Sequence, residues 1–302
     1  MNRPLPAAAQ ASVSISRLSE LTGVNPVTLR AWERRYGLLR PQRTDKGHRL
    51  YSEEDVQRVH HILDWLHKGV AISRVRPLLA GDAGAQVDAD WQALLAPAIT
   101  ALTHMDPRRL EQHFNRVAAE YPLEQVVTCW ITPLMTHARL HMPAEPGAAG
   151  MLHGFLRARL GIRQWQAARR GGRAARVLVM PWGSDDDLEA LMQTAILLEN
   201  GIPALSLPAL PEGEQVRLLA AQASVRALLL VLSPGLTRTA LRRRLGAAPR
   251  HLRVPLYVCG DAVPLLAPLP EGVQAVSGDY GETARALQGL LPAATAHGEG
   301  NR

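Results

Sequence analysis

Residues 12–51 read SVSISRLSELTGVNPVTLRAWERRYGLLRPQRTDKGHRLY. The stretch predicts a short helix, a tight turn at Gly23, a second helix, and a basic loop that ends in an aromatic. Asn25 is a good N-cap and Pro26 follows at the first helical position, where a missing N–H costs nothing. Leu18, Leu21, Val24 and Leu29 are spaced to form a small apolar seam between the two helices. The second helix then carries Arg30, Arg34 and Arg35 on its outer side. A helix pair of this kind is a way to present one helix to the DNA major groove.

Charge supports that reading. Residues 1–80 hold 13 Lys+Arg against 7 Asp+Glu, and the whole chain carries only +7, so nearly all the excess sits in the first quarter. Within Arg30–Arg49 the balance is 7 basic to 2 acidic. Clustered cations neutralise phosphates, which supplies most sequence-independent DNA affinity.

These motifs resemble the MerR family of bacterial transcription regulators. The resemblance places a winged helix-turn-helix at Ile15–Tyr36 with its wing at Pro41–Tyr51. Two further helices follow, at Ser52–Lys68 and Ser73–Leu79. Ser52 caps a first turn of Glu53, Glu54 and Asp55, carboxylates that suit a helix N-terminus, and Gly69 stops that helix. The wording NPVTLRAWERRYGLLRPQRTDKGHRLY is closest to the MlrA-like branch, which governs curli and biofilm programmes. It is also similar to the cobalamin-dependent, light-sensing CarH and LitR branch.

The resemblance implies a dimer on an inverted repeat of promoter DNA, with the recognition helix Pro26–Tyr36 in the major groove. The expected contacts are Asn25, Thr28, Arg30, Arg34, Arg35 and Tyr36 on the helix, and Arg43, Thr44, Lys46, His48, Arg49 and Tyr51 on the wing. Arg30 and Arg34 are placed on bases or phosphates, Arg35 and Tyr36 on the backbone. Trp32 either touches DNA or plugs the domain core.

The chain has 302 residues and is 47% hydrophobic, enough for two or three domains. No long uncharged apolar run suggests a membrane span. The Pro/Ala-rich start lacks the apolar centre of a signal peptide and reads as a disordered lead-in at 1–12. Cys129 and Cys259 are 130 positions apart, each in an apolar pattern, so a disulfide-free cytoplasmic protein is expected. They offer no thiolate cluster for a soft metal, and His60, His61, His67, His137 and His141 are read as helix-surface residues rather than ligands.

After the DNA-binding segment at 13–80, Gly81–Ala85 is a linker. Trp91, Leu94, Leu95, Ala98, Ile99 and Leu102 then follow helical spacing. Asp106-Pro107 starts a second helix with Leu110, Phe114 and Val117 on its apolar side. Leu123–Leu140 is a third, kinked at Pro133. Met142–Ala149 is an interruption, and Gly150–Arg169 a fourth helix. A four-helix bundle over 87–172 follows.

Arg176–Met180, Pro203–Leu207, Ala227–Leu232, Leu256–Cys259 and Val273–Ser277 read as strands. The helices between them begin after Asp187 and cover Val216–Ala223 and Arg238–Leu245. The alternation predicts a doubly wound parallel sheet of Rossmann type over 173–293, with a tail at 294–302. The fold class is therefore multidomain α and α/β.

Bundle and sheet together resemble the cobalamin-binding module of the light-sensing branch, best at Phe155–Leu160 (FLRARL). The resemblance also exposes losses. Ala149 and Gly150 stand where that module has a Glu-His pair. Asp186 stands where its axial His is expected, and Glu189 where a Gly lets backbone approach the corrin. A carboxylate is a harder ligand than imidazole. No cofactor is expected, although the same resemblance leaves a cobalamin-dependent light-sensing repressor as the alternative. Trp130 is read as core before corrin contact, and His141 as a surface residue before a substitute ligand from the bundle side. No G-x-G-x-x-G follows the first strand and no G-x-S-x-G occurs, so no enzyme is expected. The C-terminal two-thirds is assigned to dimerisation, sensing, or docking of RNA polymerase or a signalling protein.

Overall fold

The computed structural model describes residues 12–45, 47–67, 70, 72–79, 88–142, 146–170, 176–182, 186–207, 218, 220–222, 224–232, 237, 239, 243, 252–260, 262–266, 268–276 and 279–290. The lead-in, Lys46, the Gly81–Ala85 linker, most of the helices expected at Val216–Ala223 and Arg238–Leu245, and the tail lie outside these residues. The chain divides into two compact units, Met1–Leu152 and His153–Arg302.

In the first unit, strand β1 (Val13–Ser14) leads into α1 (Ile15–Thr22). Ser14 caps α1 by accepting from the Arg17 N–H at 3.3 Å. Gly23 ends it at φ +71°, a left-handed position that side chains resist, and donates back to the Ser19 carbonyl. Asn25 accepts from the Val27 N–H at 2.8 Å and starts α2 (Pro26–Ala31), which continues as one turn of π-helix at Trp32–Tyr36. Leu18, Val24 and Leu29 close the expected seam, but Leu21 is 42% exposed and takes no part in it. The wing is β2 (Gln42–Arg43) and β3 (Arg49–Tyr51), antiparallel, with β1 completing a three-stranded sheet in the order β1-β3-β2.

Helices α3 (Glu53–His67) and α4 (Ile72–Leu79) follow. Then come α5 (Asp88–Thr103) and α6 (Pro107–Glu120). Asp106 caps α6 through the Arg109 N–H at 3.0 Å. The third expected helix is built differently from its reading. Short α7 (Leu123–Gln125) passes through a π-turn at Val126–Ile131 into α8 (Thr132–His141). The irregularity precedes Pro133. A proline lacks the N–H for the usual bond and its ring crowds the carbonyl four residues back, so widening that preceding turn lets the helix run on. Helix α9 (Pro146–Arg170) begins inside the expected Met142–Ala149 interruption, because a proline is tolerated in a first turn. The division between the two units falls within α9.

The second unit contains a five-stranded sheet in the order β5-β4-β6-β7-β8, all parallel. The strands are β4 (Arg176–Trp182), β5 (Ala204–Ser206), β6 (Val225–Leu232), β7 (Leu256–Cys259) and β8 (Val273–Ala275). Helix α10 (Leu188–Glu199) links β4 to β5, and α11 (Val263–Leu266) and α12 (Tyr280–Leu290) flank the last strand. The first strand of the unit lies between the second and the third, a doubly wound, Rossmann-like order. The central strands are buried on both faces, which is why they read as near-continuous apolar runs. Leu178, Met180, Trp182, Leu228, Leu230 and Leu232 share one packed cluster. No helix among the described residues is long and apolar enough to cross a membrane.

Gly260 ends β7 at φ +102°, and a Cβ there would lie 2.7 Å from the Leu232 carbonyl oxygen. Both the dihedral and the backbone contact require glycine. Gly260→Ala should destabilise the sheet unit by about 1–3 kcal/mol, read as a lowered urea midpoint of the full chain. An unchanged midpoint would show that the corner can rearrange.

Candidate nucleic-acid interface

The recognition helix exposes one side and buries the other. Val27, Arg30 and Arg34 are exposed at i, i+3 and i+7, one face of the helix. Among the described residues neither Arg30 nor Arg34 has an ion-pair partner. On the opposite side Thr28, Leu29, Ala31 and Trp32 are buried. Trp32 is 0% exposed and its indole Nε1 donates to the Glu120 carbonyl at 2.8 Å. It plugs the core.

The wing hairpin is closed by Thr44. Its N–H donates to the His48 carbonyl at 2.9 Å, its carbonyl accepts from the Gly47 N–H at 2.7 Å, and its hydroxyl accepts from the His48 N–H at 3.1 Å. Arg43 and His48 are exposed, and Arg43 pairs across the hairpin with Arg49. Glu33 ties wing to helix. It accepts from Arg49 Nε at 2.6 Å and lies 3.8 Å from Arg43 Nη2. Sequence reasoning missed Glu33. Its signal was its place as one of only two acids in a strongly basic segment.

The structure separates the expected contacts into groups. Arg30, Arg34, Arg35, Arg43 and His48 are exposed, with Thr44 and Arg49 half-buried. Asn25 is occupied in capping α2. Thr28 and Tyr51 are buried, which leaves their side chains no surface to offer DNA in this conformation. Burial pushes the Tyr51 phenol up to about 12. Arg35 and Tyr36 face the bundle rather than solvent alone. Arg35 Nη1 pairs with Glu120 Oε1, and the Tyr36 hydroxyl donates to Glu120 Oε2 at 2.6 Å. Burial and the neighbouring carboxylate push the Tyr36 phenol up. Glu120 was also missed. It lies three residues after Val117 on the apolar face of α6, a place where a carboxylate needs a partner.

Residues 13–82 match the model of the MerR HTH family regulatory protein. The HTH-type transcriptional regulator MlrA of Escherichia coli (strain K12) is 31% identical over 188 residues, 62% of this chain and 76% of that protein. The chain belongs to the MerR family. The MlrA of Salmonella typhimurium (strain LT2) matches to the same extent. The HTH-type transcriptional repressor CarH of Myxococcus xanthus is 42% identical over 71 residues, 24% of each chain. Among solved structures, the monomethylamine corrinoid protein of Methanosarcina barkeri covers 66% of this chain and 99% of its own, at TM-score 0.46 and 15% identity. As a MerR-family member this chain is a DNA-binding transcription regulator. Its interface is the winged helix-turn-helix.

The expected loss of cobalamin can be set against the contacts at the end of the sheet. Asp186 Oδ1 accepts from the Leu188 N–H at 2.9 Å and lies 2.7 Å from His153 Nε2. This carboxylate caps α10 and pairs with α9. Next to it, the buried Asp187 pairs with Arg157 at 3.1 Å. Trp182, 1% exposed, ends β4 beside Leu232, where such sheets open toward a ligand. Asp186, a hard carboxylate already engaged by the Leu188 N–H and His153, does not fit the place of an axial imidazole on cobalt. Trp130 is buried in the bundle, its indole donating to the Leu94 carbonyl at 3.1 Å. Ala149 is half-buried, Gly150 exposed, and Glu189 half-buried. Burial pushes both thiols up, Cys259 to about 12. Among the described residues no group of three or more His, Cys, Asp and Glu is placed to hold a metal ion.

Trp32→Ala should cost about 3–5 kcal/mol of stability, the usual range for a buried indole. Thermal unfolding of the full chain reads it. A loss under about 0.5 kcal/mol, the usual range for a surface substitution, would place Trp32 outside the core.

Proposed function

We propose that two copies of this chain bind an inverted repeat of promoter DNA from the cytoplasm. Each recognition helix reads one major groove through Arg30 and Arg34, and each wing grips flanking phosphates through Arg43, Thr44, Lys46, His48 and Arg49. The observation that carries this reading is the pair Arg30 and Arg34, exposed on one helix face and without ion-pair partners among the described residues. Two arginines so placed suit bidentate contacts to guanine edges or clamps on phosphate. The cations of the wing extend the same positive surface.

The sheet unit serves as a sensory or docking module without cobalamin and without catalysis. Asp186, engaged with His153 and the α10 N-terminus, supports that reading. Its ligand is a small molecule or a protein of the transcription or signalling apparatus.

The full-length protein should select an inverted repeat from random duplexes and sediment on it as two protomers. A half-site duplex should bind at least about tenfold more weakly, because two tied copies gain effective concentration. Equal affinity for half-site and full site would refute the dimer. Arg34→Ala should weaken the selected duplex by about 1–3 kcal/mol if it reads a base. Mixing with adenosylcobalamin should leave the protein colourless after gel filtration. Retained colour would instead favour the light-sensing repressor.

A further inference from the structure

One turn of the recognition helix converges on the end of α6. The Trp32 indole donates to the Glu120 carbonyl, and the Arg35 guanidinium and Tyr36 hydroxyl take the two oxygens of the Glu120 carboxylate. Arg116 adds a cation at 3.8 Å. Glu120 is 4% exposed. A carboxylate so buried depends on its partners, and losing Arg35 would leave it only the Tyr36 hydroxyl and the more distant Arg116. A DNA phosphate would therefore have to draw Arg35 away from a site that needs it. The adjacent residue extends the joint. The Tyr121 hydroxyl accepts from the Ile72 N–H at 3.3 Å at the start of α4, and its ring lies 4.6 Å from that of Trp91 on α5.

We propose that Glu120 is a positioning residue for DNA recognition: it fixes the recognition helix to the bundle, and Arg35 and Tyr36 serve this joint rather than touch DNA. The proposal rests on Pro26–Tyr36 being the recognition helix. Arg30 and Arg34 project from the exposed side of the same helix, so the angle at which they meet base edges is set from its buried side. A shift of α6 is then a shift of the reading head, which gives the bundle a physical route to DNA affinity.

The test is a double-mutant cycle in the full chain with Glu120→Ala, Arg35→Ala and the double variant. Binding to the selected duplex is measured across a salt titration. Each single variant should lose about five- to tenfold in affinity, and the double should be no worse than the weaker single, the mark of residues that act through each other. The salt slope of Arg35→Ala should match the parent, since no phosphate contact is lost. Additive losses, or a slope shallower by about one, would overturn the joint. If Glu120→Ala fails to fold, Glu120→Gln keeps the volume and closes the cycle. Arg30→Ala and Arg34→Ala report on the underlying reading. No loss in either removes the recognition helix and the proposal with it, whereas a loss there beside an additive cycle removes the proposal alone.

Discussion

The first unit depends on one buried indole. Trp32 lies in the middle of a segment otherwise rich in arginine, yet it is 0% exposed. An indole of this size brings a large apolar area into the core, and its N–H must find an acceptor once buried. The acceptor is the Glu120 carbonyl at the end of α6, one of the last carbonyls that a helix leaves without an internal partner. Two orphan groups satisfy each other. The winged helix-turn-helix is thereby built onto the bundle helices instead of hanging from a linker. This accounts for a compact unit that runs past the DNA-binding segment to Leu152.

Local signals were legible and distant pairings were not. Gly23, Asn25-Pro26 and Asp106-Pro107 mark helix ends because capping acts over two or three residues, and each does so in the structure. The strands of the sheet were legible because burial on both faces forces apolar runs. Their parallel pairing followed from the strand-helix alternation, whereas their order came only from the structure. Glu33 with Arg49 and Glu120 with Arg35 are separated by 16 and 85 residues. No spacing rule pairs them. Leu21 shows the converse error. Its residue type fitted the seam, but its position on α1 faces solvent.

Charge in the DNA-binding segment is therefore less available than its composition suggests. Arg35 is matched by Glu120, Arg49 and Arg43 by Glu33, and Arg17 by Glu20. The pairs are not equivalent. The Arg17–Glu20 pair is exposed at both ends and contributes little. Glu120 is nearly buried, so its pairing has structural weight. Glu33 is intermediate, and its two partners sit on opposite strands of the wing. It thus holds the wing against the recognition helix while leaving part of each guanidinium toward solvent. The carboxylates leave the cations of this segment unequally available.

The same logic holds at the crown of the parallel sheet. Doubly wound sheets bind ligands beyond the carboxyl ends of their strands, at the point where the strand order reverses. Here that point lies between β4 and β6, at Trp182 and Leu232. Both side chains are buried in the apolar cluster. Just beyond, Asp186 Oδ1 pairs with His153 and Asp187 Oδ2 with Arg157, while Asp187 Oδ1 and the Trp182 indole N–H are buried without a hydrogen-bond partner among the described residues. Successive carboxylates hold successive turns of α9, four residues apart, against the loop that follows β4. A ligand entering from above would first have to displace those pairs, and Asp187, at 4% exposure, would be left as a buried charge without its cation. At that end of the sheet, these two pairs fasten α9 to the residues that lead into α10.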